Sequence, residues 1–213
     1  MLFTSLTLAI LLALYIPSQT TAHDIDPPSN KNATIDSFSF ERQLSWSNRD
    51  FDLKRDADGS SVISITAELS DSFLNRFKLE LSPLNGRKLA VNVNNQAVFC
   101  GFAQTYKIMD GPSNPYQFNI KPRGPLVDRW HIKKFGNLKH SYTWERHFHS
   151  LSGVVKQDDN GRKVAYFSAK LGILHFRTPH IGKFTIQTNG DVPLEVLLAV
   201  YASAVVRKDK CNW

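Results

Sequence analysis

The chain is poor in the residues that mark specialised architectures. Its 213 residues include only 10 Pro, 11 Gly, 2 Cys and 2 Met, and 21% of them are charged. These figures exclude collagen, low-complexity sequence and wholesale disorder. No CxxC or Cys/His cluster with zinc spacing occurs, and no Gly-x-Ser-x-Gly marks a nucleophile elbow. Neither HExxH nor a His-x-His with a following Glu marks a metalloenzyme, and no helix-turn-helix, finger or RNP-like strand points to nucleic acid. No apolar stretch approaches the ~20 residues that a bilayer span requires.

The 42% hydrophobic and 11% aromatic content is enough to fill the core of one domain. Lys and Arg total 26 against 19 Asp and Glu, a formal charge of +7, which favours anionic partners such as lipid headgroups, nucleic acid or acidic glycans. Residues 1–22 contain no charged side chain, run apolar from Leu6 to Ile16 and break at Pro17. This pattern predicts a secretory signal peptide cleaved after Ala22, with a signal anchor as the alternative. Residues 23–37 then form a polar N-terminal tail, and Asn32-Ala33-Thr34 reads as a glycosylation acceptor. In an oxidising, secreted setting Cys100 and Cys211 allow one pairing, two unpaired thiols being the alternative. In the chain-entropy treatment such a link stabilises by about 4 to 5 kcal/mol.

From Phe38 onward the pattern is short alternating or β-branched segments separated by turn chemistry. Phe51–Lys54 and Ser61–Ala67 flank Asp56-Ala57-Asp58-Gly59, and Ser152–Lys156 and Lys163–Ala169 flank Asp158-Asp159-Asn160-Gly161. Both read as strand, turn, strand. Phe77–Leu81, Lys88–Val93, Ala97–Phe102, Tyr116–Ile120, Ser141–Phe148 and Lys183–Thr188 are also strand-like. The exception is the end of the chain, where Asp191 and Pro193 suit a helix start and Leu194–Val206 is apolar on nearly every face. It is too short for a bilayer, so it is expected to be buried inside the protein over about residues 193–207. Arg207, Lys208 and Lys210 complement its C-terminal dipole, and Glu195 its N-terminal one. The sequence therefore predicts a mainly β domain over residues 38–213, about ten antiparallel strands in a barrel or sandwich with the C-terminal hydrophobic helix as its core.

Carried by the two strand-turn-strand units and by Phe184-Thr185-Ile186-Gln187 running through Gly190-Asp191-Val192-Pro193-Leu194 into the helix, the arrangement resembles the tubby C-terminal-like superfamily. That superfamily includes LURP-one-related proteins and phospholipid scramblases. The resemblance implies a twelve-stranded barrel threaded by its C-terminal helix, hence here a closed antiparallel β-barrel of about 10–12 strands enclosing the hydrophobic helix, and phosphoinositide binding through basic surface residues. It covers roughly Phe38 to Lys210 and carries no catalytic signature. The acidic calcium-binding segment of scramblases has no counterpart here.

The candidate site is a basic and aromatic stretch. Lys121, Arg123, Arg129, Trp130, Lys133, Lys134, Lys139 and Arg146 suit an anionic lipid or another polyanion, with Trp130 and Phe135 entering the membrane interface. The leading expectation is a secreted, monomeric, non-enzymatic lipid-binding barrel without cofactor. Two others stand beside it: a hydrolase or metal-dependent enzyme using the histidines at 131, 140, 147, 149, 175 and 180, and a protein-interaction module without ligand. In the metal reading His147 and His149, two apart on one strand face, are the ligand pair.

Overall fold

The computed structural model describes residues 25–43, 50–69, 77–94, 97–123, 126–147, 150–171 and 181–211. Twelve strands run in chain order: β1 (Asp36–Gln43), β2 (Asp50–Arg55), β3 (Ser61–Leu69), β4 (Phe77–Pro83), β5 (Leu89–Val93), β6 (Gln104–Asp110), β7 (Ser113–Arg123), β8 (Leu126–Ile132), β9 (Tyr142–Arg146), β10 (Gly153–Gln157), β11 (Lys163–Leu171) and β12 (Ile181–Thr188). One helix, α1 (Leu194–Cys211), follows them. Each strand pairs antiparallel with the next, and β12 returns to pair with β1 over eight positions from Asp36↔Thr188 to Gln43↔Ile181, which closes the barrel. Closure leaves no free sheet edge.

Two-residue alternation decides which side chains turn inward. Phe51 and Leu53 of β2, Leu79 and Leu81 of β4, and Tyr106 and Ile108 of β6 are buried, while Lys54, Lys78 and Lys107 between or beside them are exposed. An apolar interior and a charged exterior are the reverse of a membrane-spanning barrel. The two read turns form as expected. Gly59 and Gly161 take φ of 70° and 72°, which side-chain-bearing residues avoid, and the Asp58 carboxylate accepts from the Ser60 amide and hydroxyl at 2.9 and 2.6 Å.

Helix α1 is the core of the barrel. It enters at the end formed by the β2–β3, β4–β5, β6–β7, β8–β9 and β10–β11 turns and runs to the opposite end, where Cys211 meets Cys100. Every residue from Val196 to Arg207 is buried. Ala199, Ala202 and Ala204 leave space for large rings from the strands, and Tyr201 fills the space between them. Its ring stacks on Phe167 of β11 at 4.4 Å and meets Trp144 of β9, Phe184 of β12 and Phe40 of β1 at 5.6, 5.8 and 5.9 Å. The ring belt continues through Trp130 of β8, Phe118 of β7 and Tyr106 of β6. The helix runs to Cys211, past the expected stop near 207. Among the described residues no helix is long and apolar enough to cross a membrane.

Three strands and one loop depart from the sequence reading. β1, β6 and β8 are strands not anticipated as such, and Ala97–Phe102, expected to be a strand, is a loop between β5 and β6. Residues 25–30 of the polar tail are strapped across the helix entrance. Ile25 is buried, the Asp26 amide donates to the Lys163 carbonyl at 3.0 Å, and the Ser29 amide and hydroxyl donate to Asp191 at 2.9 and 3.0 Å. Asp191 also receives Arg162 Nη2 at 3.1 Å, so the strap and the helix approach share one carboxylate. Asn32 is exposed in the turn that follows.

Candidate anion-binding face

The basic stretch divides between the outside and the inside of the barrel. In β8, Asp128, Trp130 and Ile132 alternate inward, leaving Arg129 and His131 outward. Trp130 is 1% exposed within the ring belt, so it does not reach an interface: the expectation that it anchors to lipid is corrected by strand parity, which a basic-residue count does not contain. Arg146 is likewise not an outer-face cation. It follows Trp144 on the inward alternation of β9, is half-buried, and interacts with Asp128. Burial lowers the pKa of its guanidinium while Asp128 acts in the opposite direction. Burial raises the Asp128 carboxyl pKa, against the pull of Arg146 and Arg207.

Five of the expected residues do share one outer surface. Lys121 on β7 and Arg129 on β8 are both exposed and stand opposite one another in the register. Lys133, Lys134 and Lys139 are exposed in the loop 133–141, about 13 Å further along the sheet at the strand rise of 3.3 Å per residue. None of the five makes an ion pair with a described residue. Acids on the adjoining elements are engaged elsewhere: Glu145, the register partner of Arg129, accepts from Lys156 Nζ at 2.6 Å, Asp158 accepts from Thr143 Oγ1 at 2.6 Å, and Asp159 accepts from Gln157 Nε2 at 2.6 Å and pairs with His140 at 2.9 Å. The Arg123 side chain lies outside the described residues.

The loop carrying the three lysines is rigidly built. Gly136 has φ of 57°, and a Cβ there would sit 2.2 Å from the Pro115 carbonyl oxygen, so the turn tolerates no side chain. The Asn137 amide donates to that same carbonyl at 3.2 Å, Leu138 is buried beneath, and Phe135 is 40% exposed at the tip.

His131 is a residue of this face that the basic pattern undervalued. Thr143 Oγ1 donates to Asp158 at 2.6 Å, so it receives its proton from His131 Nδ1 at 2.9 Å. Burial first, and Lys121 next, lower the His131 pKa below 6.5; Asp158 opposes them and Arg129 adds to them. A histidine held neutral in the fold but protonated in the unfolded chain makes stability rise with pH between its lowered value and 6.5. His131→Gln is therefore expected to flatten that part of the urea-midpoint profile and leave the midpoint at about pH 8 unchanged. An unaltered slope would show that other groups set it.

Of the expected metal pair only His147 lies among the described residues. His147 is exposed, with its ring 6.1 Å from Tyr166, and His149, His175 and His180 lie outside the described residues. Among the described residues no group of three His, Cys, Asp or Glu is arranged to hold a metal ion.

A groove of about 400 Å3 lies elsewhere, outside β1, β2 and β12. There the β1–β2 ladder is made only at Phe38↔Arg55 and Ser39↔Lys54, whereas β1 and β12 pair throughout. Glu41, Asp52 and Asp56 face Lys54, Arg55 and Lys183 across it. The Ser37 and Ser39 hydroxyls both donate to Asp56, at 2.5 and 2.6 Å. Its mixed charge sets it apart from the uniformly basic β7–β8 face. No protein-family model, curated protein or solved structure matches the chain.

Proposed function

We propose that the protein is a tubby-like barrel of the secretory pathway with a binding rather than a catalytic role, and that it recognises anionic phospholipid or a similar polyanion through the outer face of β7, β8 and the loop 133–141. The observation that carries this reading is the directly opposed, exposed pair Lys121 and Arg129. Like charges facing each other across a ladder destabilise a sheet, and an anionic ligand between them removes that penalty. Lys133, Lys134 and Lys139 extend the same sign of charge, and each cation at an anionic surface contributes about 1 kcal/mol. The twelve-stranded closed barrel around its own C-terminal helix supports the tubby-like reading, and the Cys100–Cys211 disulfide supports an oxidising compartment.

Co-sedimentation with neutral, phosphatidylserine and phosphoinositide vesicles tests the proposal. Binding is expected only to the anionic vesicles, to weaken from low to physiological salt, and to fall about 100-fold or more when the five cations become Ala. Equal binding to neutral vesicles, or none to any, would remove the lipid reading.

A further inference from the structure

The loop 97–103 is held to the barrel by more fasteners than its length requires. Ala97 and Val98 are buried beneath it. Gln104, at the far foot of the loop, clamps its first arm: its Nε2 donates to the Ala97 carbonyl at 2.6 Å and its Oε1 accepts the Phe99 amide at 3.0 Å. Arg207, 1% exposed on α1, donates through Nη1 to the same Gln104 Oε1 at 2.6 Å, and through Nη2 to the carbonyls of Phe99 and Phe102 at 2.6 and 3.1 Å. Cys100 is bonded to Cys211. Gly101, with φ of 78°, turns the chain between the two phenylalanines.

All of this holds two aromatic rings in water. Phe99 is 45% exposed and Phe102 is 68% exposed, the largest exposure of any aromatic among the described residues. Their carbonyls share one guanidinium nitrogen, so the two residues are fixed side by side. A loop folding for stability alone would turn these rings into the core.

We infer that Phe99 and Phe102 form a rigid prong that enters the interfacial zone of an anionic membrane, so that the barrel docks with its β7–β8 face toward the headgroups and its disulfide-bonded end deepest. The inference rests on the lipid reading above and deepens it by assigning the end that meets the bilayer. The neighbouring charge selects the partner. Gln104 pairs with Ile120, which places Lys121 on the strand next to Phe102 at the same rim, and Lys121 faces Arg129. Protruding aromatics beside unpaired cations suit the headgroup–acyl boundary, where apolar insertion and attraction to anionic headgroups add. The fasteners supply the ordering in advance, so little conformational freedom is lost on docking. Leu84, 66% exposed in the β4–β5 turn at the opposite end and away from the β7–β8 face, is the internal control.

The test compares the full chain with Phe99→Ser/Phe102→Ser and with Leu84→Ser, on vesicles of phosphatidylcholine with and without phosphatidylserine. Thermal unfolding of each variant verifies that it is folded. The double variant is expected to bind phosphatidylserine vesicles about tenfold or more weakly while Leu84→Ser binds as the unaltered protein does. A double variant that binds normally overturns the prong and leaves the lipid reading standing. So does weakening by Leu84→Ser equal to or greater than that of the double variant. If the unaltered protein binds no vesicle, the lipid reading falls and the prong with it.

Discussion

Replacing Tyr201 by Ala is expected to destabilise the protein by about 3 to 5 kcal/mol, the range for truncating a large buried ring. The side chain is fully buried at the point where α1 meets four strands, touching Phe167, Trp144, Phe184 and Phe40 within 5.9 Å. These rings come from β11, β9, β12 and β1, which are not all neighbours and cannot collapse together around the vacated space. The surrounding barrel is closed by hydrogen bonds on every side, so relaxation is limited and a cavity remains. For a chain of this size the change lowers Tm by about 10 °C. Tyr201→Phe separates packing from polarity. The hydroxyl has no hydrogen-bond partner among the described residues, and burial holds its pKa well above 10.0. Removing it is expected to be neutral or to stabilise by up to about 1 kcal/mol. Urea titration of both variants with an unchanged m-value checks the pair. If Tyr201→Ala lies within about 1 kcal/mol of the parent, the helix does not fill the barrel as described.

The architecture was legible in the sequence because its main signals are local or nearly so. Asp-Gly at 58–59 and Asn-Gly at 160–161 set two hairpins, and the all-round apolarity of Leu194–Val206 demands a container. β8 was missed because its charges drew the eye from its parity: Asp128, Trp130 and Ile132 go in, and Arg129 and His131 go out. The same parity removes Trp130 and Arg146 from the outer face. Ala97–Phe102 was misread for a different reason. Its apolar run looks like a buried strand, yet Phe99 and Phe102 point outward because their carbonyls are bound by Arg207, more than 100 residues away. No local pattern contains that bond, and Arg207 itself reads as one of a cluster of helix-end cations until the barrel closes around it. His131 lacked any motif of its own, and its partners Thr143 and Asp158 are brought to it only by the β8–β9 register and the β10–β11 turn.

Changing both Cys100 and Cys211 to Ser is expected to destabilise by about 4 to 5 kcal/mol, since the bond closes a loop across a separation of 111 residues. Arg207→Met removes the other fastener of the same loop. It leaves the Gln104 oxygen without its guanidinium donor and the Phe99 and Phe102 carbonyls without theirs, an expected loss of about 3 kcal/mol. The two effects should not add. While the disulfide is intact, the loop 97–103 is tethered to the end of α1 and the Arg207 hydrogen bonds form at little entropic cost. Once the tether is absent the loop detaches more readily, and less of the Arg207 contribution is there to lose. The triple variant is therefore expected to be more stable than the sum of the separate losses implies, by about 0.5 to 3 kcal/mol, in a double-mutant cycle read by urea unfolding. Additivity within about 0.5 kcal/mol would mean that disulfide and guanidinium act on independent elements. The loop would then not be a single docked unit, and Phe99 and Phe102 would not be held as a pair.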